Sequence, residues 1–453
     1  MPRPIRILIF YTFFLLFLIA APVLLLYTSG YRYNFNRGRL EQVGALLLKS
    51  TPRGATIVLN GNPAVEATPA LLQLPQNEYQ IEIKKDGHRS WSKTLSVRSQ
   101  ETTFAEDIVL WKEAAAETIF EIPHTQSWIS PNLRFIILKT LSDKNDFLLY
   151  DTTLSVETLL PFETEPEEIQ FSPSGNSLLV FHPSPPGTIR PFSVIRLETQ
   201  KPVPLAHSEI AKFESVRWGD TDGTLYGIHQ GILSAVNLFT GTVDPIAQSG
   251  SSFAIRGTDV WSIQNFAATN RAHLQKSRAG SPETPPETVV ELPYPGTYSI
   301  VGTEGSSLML ERLFSERHIL VIDTRAPKTI QLEITGEHFR ARKNRDNEVE
   351  LLTWNDFELW RGNVRSGAVE LLRRQSDPIQ MALWYPRGEY VLFASQGRIE
   401  ALELDDRDTR NLTRLFDSAS KPITAFSIDP RNTQLLFTAS TPEEGGVMTL
   451  ELQ

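Results

Sequence analysis

An uncharged apolar run, Ile7–Tyr27, places one stretch of this chain in lipid. As a helix it reaches roughly 31 Å, about one bilayer core. A cleavable export signal has a shorter apolar core and a small-residue cut site. Here the small pair Ala20-Ala21 is followed by Pro22, which hinders cleavage. The run therefore reads as an uncleaved signal anchor, residues 7–27, with the membrane as its partner. Pro22 falls in the last third, where a kink is tolerated in lipid. Tyr27, Tyr31 and Tyr33 suit the far headgroup layer. Arg3 and Arg6 precede the run, and Arg32, Arg37 and Arg39 follow it, so flanking charge alone leans against an N-inside orientation. Long domains translocate largely regardless of charge, and a very short leading tail is the usual export arrangement. Residues 1–6 are thus expected in the cytoplasm, residues 28–42 beside the membrane, and the bulk of the chain outside.

Charge and cysteine content narrow what the body does. The chain has 453 residues and a net charge of −9, from 44 Lys+Arg and 53 Asp+Glu. The first forty residues hold five arginines and no acid, so the remainder carries 39 basic and 53 acidic residues, a net −14. A body that acidic has no electrostatic footprint for nucleic acid, which is excluded as a partner. There is no cysteine, so disulfides, thiolate catalysis and Cys-ligated zinc are excluded as well.

Residues 43–112 alternate apolar and polar side chains in four places: Ala45–Leu48, Ala55–Leu59, Tyr79–Ile83 and Trp91–Val97. Turn residues separate them, at Pro52-Arg53-Gly54, Asn60-Gly61-Asn62-Pro63 and Asp86-Gly87. A small β-sandwich-like domain follows. Its order of Pro52-Arg53-Gly54-Ala55, Val58-Leu59-Asn60-Gly61, Thr68-Pro69, Leu74-Pro75, Tyr79, Asp86-Gly87-His88 and Trp91 resembles the PEGA domain family. Arg53 stands where that family has glutamate, Asn77-Glu78 where glycine usually precedes the tyrosine, and His88 where it has an aromatic. The resemblance implies an extracytoplasmic accessory module without catalysis. The glycines serve turns, and Tyr79 and Trp91 fill a thin core.

From residue 117 onward one unit recurs: a turn with Pro and Gly or Asn, then an apolar strand. It is clearest at Trp128–Ile137, Phe171–Val180, Trp384–Phe393 and Ile428–Phe437. Weaker copies stand at Trp218–Tyr226, Arg256–Trp261, Gly302–Leu308 and Asn344–Glu350. The markers Ser130, Ser172, Gly219, Gly257, Gly302, Asn344, Tyr385 and Asp429 are spaced 38 to 47 residues apart. Four short strands per such step predict a β-propeller of eight blades over residues 117–453, with seven as the alternative. The Ser-Pro-x-Gly turn resembles TolB-type and WD-repeat-like propellers. The chain end predicts only three strands of its own, so Glu117–Pro123 is expected to supply the fourth and close the ring. Ala279–Pro295, rich in Pro, Glu and Thr, is expected to project as a mobile loop. The fold class is therefore all-β, after one N-terminal transmembrane helix.

No metal or cofactor pattern stands out. Eight histidines are scattered with none at i, i+4, and they read as turn or surface residues. Asp220-Thr221-Asp222-Gly223 lacks the glutamate of a calcium loop and reads as a blade turn. Asp405-Asp406-Arg407-Asp408 reads as a solvated hairpin turn, and Asn411-Leu412-Thr413 fits a glycosylation acceptor. There is no nucleophile elbow, phosphate loop or dinucleotide fingerprint. The expectation is a non-enzymatic envelope binding or scaffold protein that recognises protein, peptide or surface glycan through propeller loops. The alternative is a hydrolase or lyase with carboxylates meeting at the channel mouth. The sequence names no residue that holds the ligand.

Overall fold

A computed structural model describes residues 3–453 except 29, 35–37, 142–145, 161, 163, 186, 203–209, 251, 387–388, 419–420, 430 and 432. Arg37 and the turn positions Arg387, Gly388, Pro430 and Asn432 used above lie outside the described residues. Helix α1 runs Arg3–Thr28, longer than the apolar run at its leading end, and its large apolar side chains are exposed. Residues Ile5–Thr28 are long and apolar enough to cross a bilayer.

The segment after the helix is not a separate linker. Strand β1, Tyr31–Asn34, pairs antiparallel with the start of β2, Arg39–Thr51. The 13-residue β2 then continues into the small domain, so the hairpin after the helix and the domain share one strand. That domain is completed by β3 Thr56–Leu59, β4 Asn62–Ala67, β5 Ala70–Pro75, β6 Asn77–Lys84, β7 Trp91–Val97 and β8 Thr102–Val109. One sheet has β2 between β1 and β5, with β8 added parallel to β2, and the other has the order β4-β3-β6-β7. Leu46, Leu48, Ile57, Ile81, Ile83 and Leu95 fill the space between them. Gly54 and Gly61 take positive φ, 74° and 82°, as their turns require. Periodicity missed β4, β5 and β8. In β4 Pro63 looks like a turn, and β5 ends on a proline.

Eight further four-stranded sheets follow in chain order, which gives eight blades. Their innermost strands are His124–Ile129, Glu168–Phe171, Ser215–Trp218, Ser252–Arg256, Thr297–Glu304, His338–Lys343, Ile379–Tyr385 and Ile423–Ile428. An apolar seam joins each blade to the next, and the last seam sets Leu436 and Val447 of blade 8 against Ile136, Leu138 and Tyr150 of blade 1. Blade 8 takes its outer strand from the front of the domain. Strand β9, Glu117–Glu121, pairs with Gly445–Glu451 as expected. No long edge is left open there.

The recurring turn has a physical cause. Ser130 Oγ accepts the amide of Phe135 at 2.9 Å, Ser172 Oγ that of Ser177 at 3.0 Å, and Asn344 Oδ1 that of Glu348 at 2.9 Å. Asp429 Oδ1 does the same for Gln434 at 2.8 Å. These four side chains tie off the turn between first and second strands, which is why short polar residues recur there. The glycine markers Gly219, Gly257 and Gly302 have no side chain to do so. Tyr385 is fully buried and packs against the small domain. The segment 279–295 is not simply a projecting loop. Glu287–Glu291 is the outer strand of blade 4, and Leu292 is buried behind it.

Candidate functional site

Within an antiparallel blade, the turn after the first strand and the turn after the third lie on the same face. The small domain docks on that face, at blades 6 to 8. Trp111, just past β8, lies edge-on between Tyr385 and Tyr390, with ring centroids 4.9 and 5.5 Å away. Burial pushes the Tyr390 phenol well above its ordinary value, and its oxygen accepts the amide of Val109 at 3.4 Å. Beside it the Lys93 side chain is fully buried. Its Nζ reaches Glu403 Oε2 at 2.9 Å and the carbonyl of Asp405 at 2.7 Å. Trp91 Nε1 donates to the other oxygen of Glu403 at 2.9 Å, and Asn411 Nδ2 donates to Oε2 at 2.8 Å. A buried carboxylate with three donors from two domains is a fixed joint. Burial alone raises the Asp405 pKa, but hydrogen bonds from Arg407 and the charge of Lys93 hold it below the ordinary range. The link is short and tied down, since the amide of Lys112 donates to Leu452 at 3.0 Å.

On the same face, the inner strands of blades 6, 7 and 8 open a cavity of about 760 Å³ at the axial side of the ring. Alternation along His338–Lys343 sorts its side chains. Phe339 and Ala341 turn to the seam with blade 5, where Val321 and Leu332 lie. Arg340 and Arg342 take the other side, toward blade 7. The Arg342 guanidinium stacks on Trp384 at 3.9 Å and bonds Glu350 and Glu389 at 2.9 Å each. Burial opposes the charge on Glu350, yet Arg361 and Arg342 together hold its pKa below the ordinary value. Lys343 lies 3.5 Å from Glu304, and Arg345 bonds Asp107 of the small domain at 2.9 Å. Burial still leaves the Asp107 pKa raised, with Arg345 opposing it.

Arg340 differs from its neighbours. Its backbone carbonyl accepts Trp384 Nε1 at 3.1 Å, so its strand position is fixed. The surrounding wall desolvates its guanidinium enough to lower the pKa, although the residue remains solvent-exposed, and among the described residues no carboxylate offsets that. The cavity lining therefore holds Arg340, Arg342, Lys343 and Arg345 against one described carboxylate, Glu389, which Arg342 already engages. Among the described lining residues the meeting carboxylates of the hydrolase or lyase alternative are not found, Glu389 being the one acid there.

Residues 43–110 match the PEGA domain family. The PEGA domain thus supplies one flank of the cavity mouth, through Asp107, and the propeller supplies the rest. No curated protein sequence matches the chain. Among solved structures, the chain is similar to a eukaryotic initiation factor at 14% identity, covering 76% of this chain and 88% of that one, with a TM-score of 0.48. It is similar to the C-terminal WD40 domain of Sif2 at 13% identity, covering 74% and 98%, with a TM-score of 0.47. It is also similar to Porphyromonas gingivalis dipeptidyl peptidase 4 at 8% identity, covering 71% and 56%, with a TM-score of 0.46. Blade number and blade order follow from the strand pairing itself.

Several residues read as surface features turn out to join parts. Asp405–Asp408 is the third turn of blade 7, and it holds the PEGA domain: Asp408 Oδ2 accepts the amide of Thr94 at 2.8 Å. Asn411 donates to the Ser92 carbonyl at 3.1 Å, so the side chain of the glycosylation pattern is committed to the interdomain joint. Asp222 accepts the amide of Ser174 at 3.0 Å, which ties the turns of blades 2 and 3 together. His124 is buried, unlike the surface histidine expected. Among the described residues no group of three or more His, Asp or Glu side chains is arranged to hold a metal ion. Nothing in the sequence singled out Arg340, because its lack of a carboxylate partner depends on residues distant in the chain.

Proposed function

We propose that this is a membrane-anchored binding or scaffold protein of the cell envelope, displaying the PEGA domain and the propeller as one rigid head outside the cytoplasm. It is not an enzyme on this reading. Its partner is a protein, peptide or surface glycan taken up at the axial cavity on the PEGA side of the ring. The observation that carries the reading is the cavity itself: about 760 Å³, framed by three successive inner strands, lined with basic side chains and without an acid pair. The apolar helix and the extracytoplasmic character of the PEGA resemblance support the placement.

Site-specific photocrosslinking in living cells tests this. A crosslinker replacing Lys343 at the cavity mouth is expected to trap a discrete adduct. One replacing Phe239, an exposed side chain on blade 3, is expected to trap none. Equal labelling from both positions, or none from Lys343, counts against the cavity as the binding site.

A further inference from the structure

Every basic side chain of the axial cavity except one already has a described acid beside it. Arg342 has Glu350 and Glu389, Lys343 has Glu304, and Arg345 has Asp107. Arg340 sits among them with no carboxylate partner among the described residues, its backbone pinned by Trp384 and its side chain open to the cavity. Arg340 is solvent-exposed where it lines the cavity, so its guanidinium can meet a ligand from solution. Among the described residues neither packing nor an ion pair engages it. Unlike Arg342, it does not stack on Trp384. Arg217 of blade 3, also without an ion pair among the described residues, lies 4.0 Å from the centroid of Phe253, whereas no described ring lies beneath Arg340. The guanidinium fork matches the two oxygens of a carboxylate or phosphate.

We infer that the axial cavity takes an anionic ligand, and that Arg340 binds its carboxylate or phosphate group. This rests on the cavity being the binding site, as proposed above. With the cations around it matched by acids, Arg340 leaves one unmatched positive charge at the cavity, on a protein whose net charge is −9. An anion entering the cavity meets that charge. Arg342, Lys343 and Arg345 are spoken for by acids, so the ligand's direct ionic contact is with Arg340. The volume suits a short oligomer or one end of a longer chain.

Calorimetric titration of the full chain in detergent tests this with three probes: trigalacturonate for carboxylate, inorganic pyrophosphate for phosphate, and neutral galactotriose. At least one anion is expected to bind saturably up to millimolar concentration, and galactotriose not to bind. Loss of a charge-assisted contact in Arg340→Gln should weaken that anion about 10- to 100-fold, whereas Arg340→Lys retains part of the affinity. Arg271→Gln, on the exposed side of blade 4, should leave it unchanged. The melting temperature of Arg340→Gln should equal that of the wild type, which separates lost binding from lost folding. If trigalacturonate binds and pyrophosphate does not, the ligand is a carboxylate; the reverse outcome makes it a phosphate. The inference is overturned if neither anion binds, if galactotriose binds as well as the anions, or if Arg340→Gln binds like the wild type. Equal binding of galactotriose with a retained Lys343 adduct would remove the anion preference and leave the cavity as the binding site.

Discussion

His124 stands where the ring begins and ends. Its Nε2 accepts the Thr424 hydroxyl of blade 8 at 2.9 Å, its Nδ1 donates to the Ile122 carbonyl at 3.0 Å, and its amide donates to Ser440 at 2.8 Å. Ser127 continues the same polar seam to Thr424 and Thr438. Burial lowers the imidazole pKa from its ordinary value of 6.5, and the bond to Ile122 offsets only part of that. The folded protein thus keeps His124 neutral at a pH where the unfolded chain takes up a proton. Its contribution is complete above the unfolded value and is lost as pH falls through the lowered folded value. Acid therefore weakens the closing seam. Between about pH 7 and pH 5, the wild type should lose more melting temperature than His124→Gln, whose side chain does not titrate. Parallel melting curves for the two proteins would show that the seam does not sense this proton.

Strand β9 shows how closure is built at the level of an element. It pairs with Gly445–Glu451, and the two glycines that open that strand let it approach closely. A Cβ on Gly446 would lie 2.4 Å from the Phe120 carbonyl oxygen, closer than any side chain tolerates. Phe120 in turn stacks on Tyr150 of blade 1 at 4.7 Å, so β9 binds blade 8 to blade 1 as well as to itself. Gly446→Val should push β9 away and cost about 1–3 kcal/mol in chemical denaturation. New protease cuts should also appear between Lys112 and Glu117. A variant as stable and as resistant as the wild type would mean that β9 is not needed to hold the ring. This closure was legible in the sequence, because a three-stranded last unit and a stray leading strand imply each other. The turn residues Ser130, Ser172 and Asp429 were legible because their side chains bond within five residues of themselves. What sits 300 residues away was not. Asp405, Asp408 and Asn411 look like solvated turn residues, since nothing local to them records the PEGA domain that covers them. Arg340 was hidden for a related reason. Being unpaired is a property of where Glu304, Glu350, Glu389 and Asp107 come to rest, and a strand read alone does not contain it.

At the level of the whole molecule, apolar helix, PEGA domain and ring form one continuous path. Helix α1 passes into β1, β1 pairs with β2, and β2 runs through the PEGA core. The far end of that core presents Trp91, Lys93 and Trp111 to blades 7 and 8. The domains meet through a buried ion pair and not only through apolar contact, which makes the joint specific and brittle at once. Removing one partner strands the other in a dry site, at a cost of about 3–5 kcal/mol. Lys93→Met leaves Glu403 with its charge and only two donors, Trp91 and Asn411. The wild type is expected to unfold in one cooperative transition, and Lys93→Met in two, one for the PEGA domain and one for the ring. Lys93→Met combined with Glu403→Gln removes the stranded charge and should restore part of the loss. Calorimetry of the wild type and the two variants decides it. A single transition at the wild-type temperature in Lys93→Met would mean that Trp111, held between Tyr385 and Tyr390, couples the domains without help. The buried pair would then select the docking geometry without strengthening it.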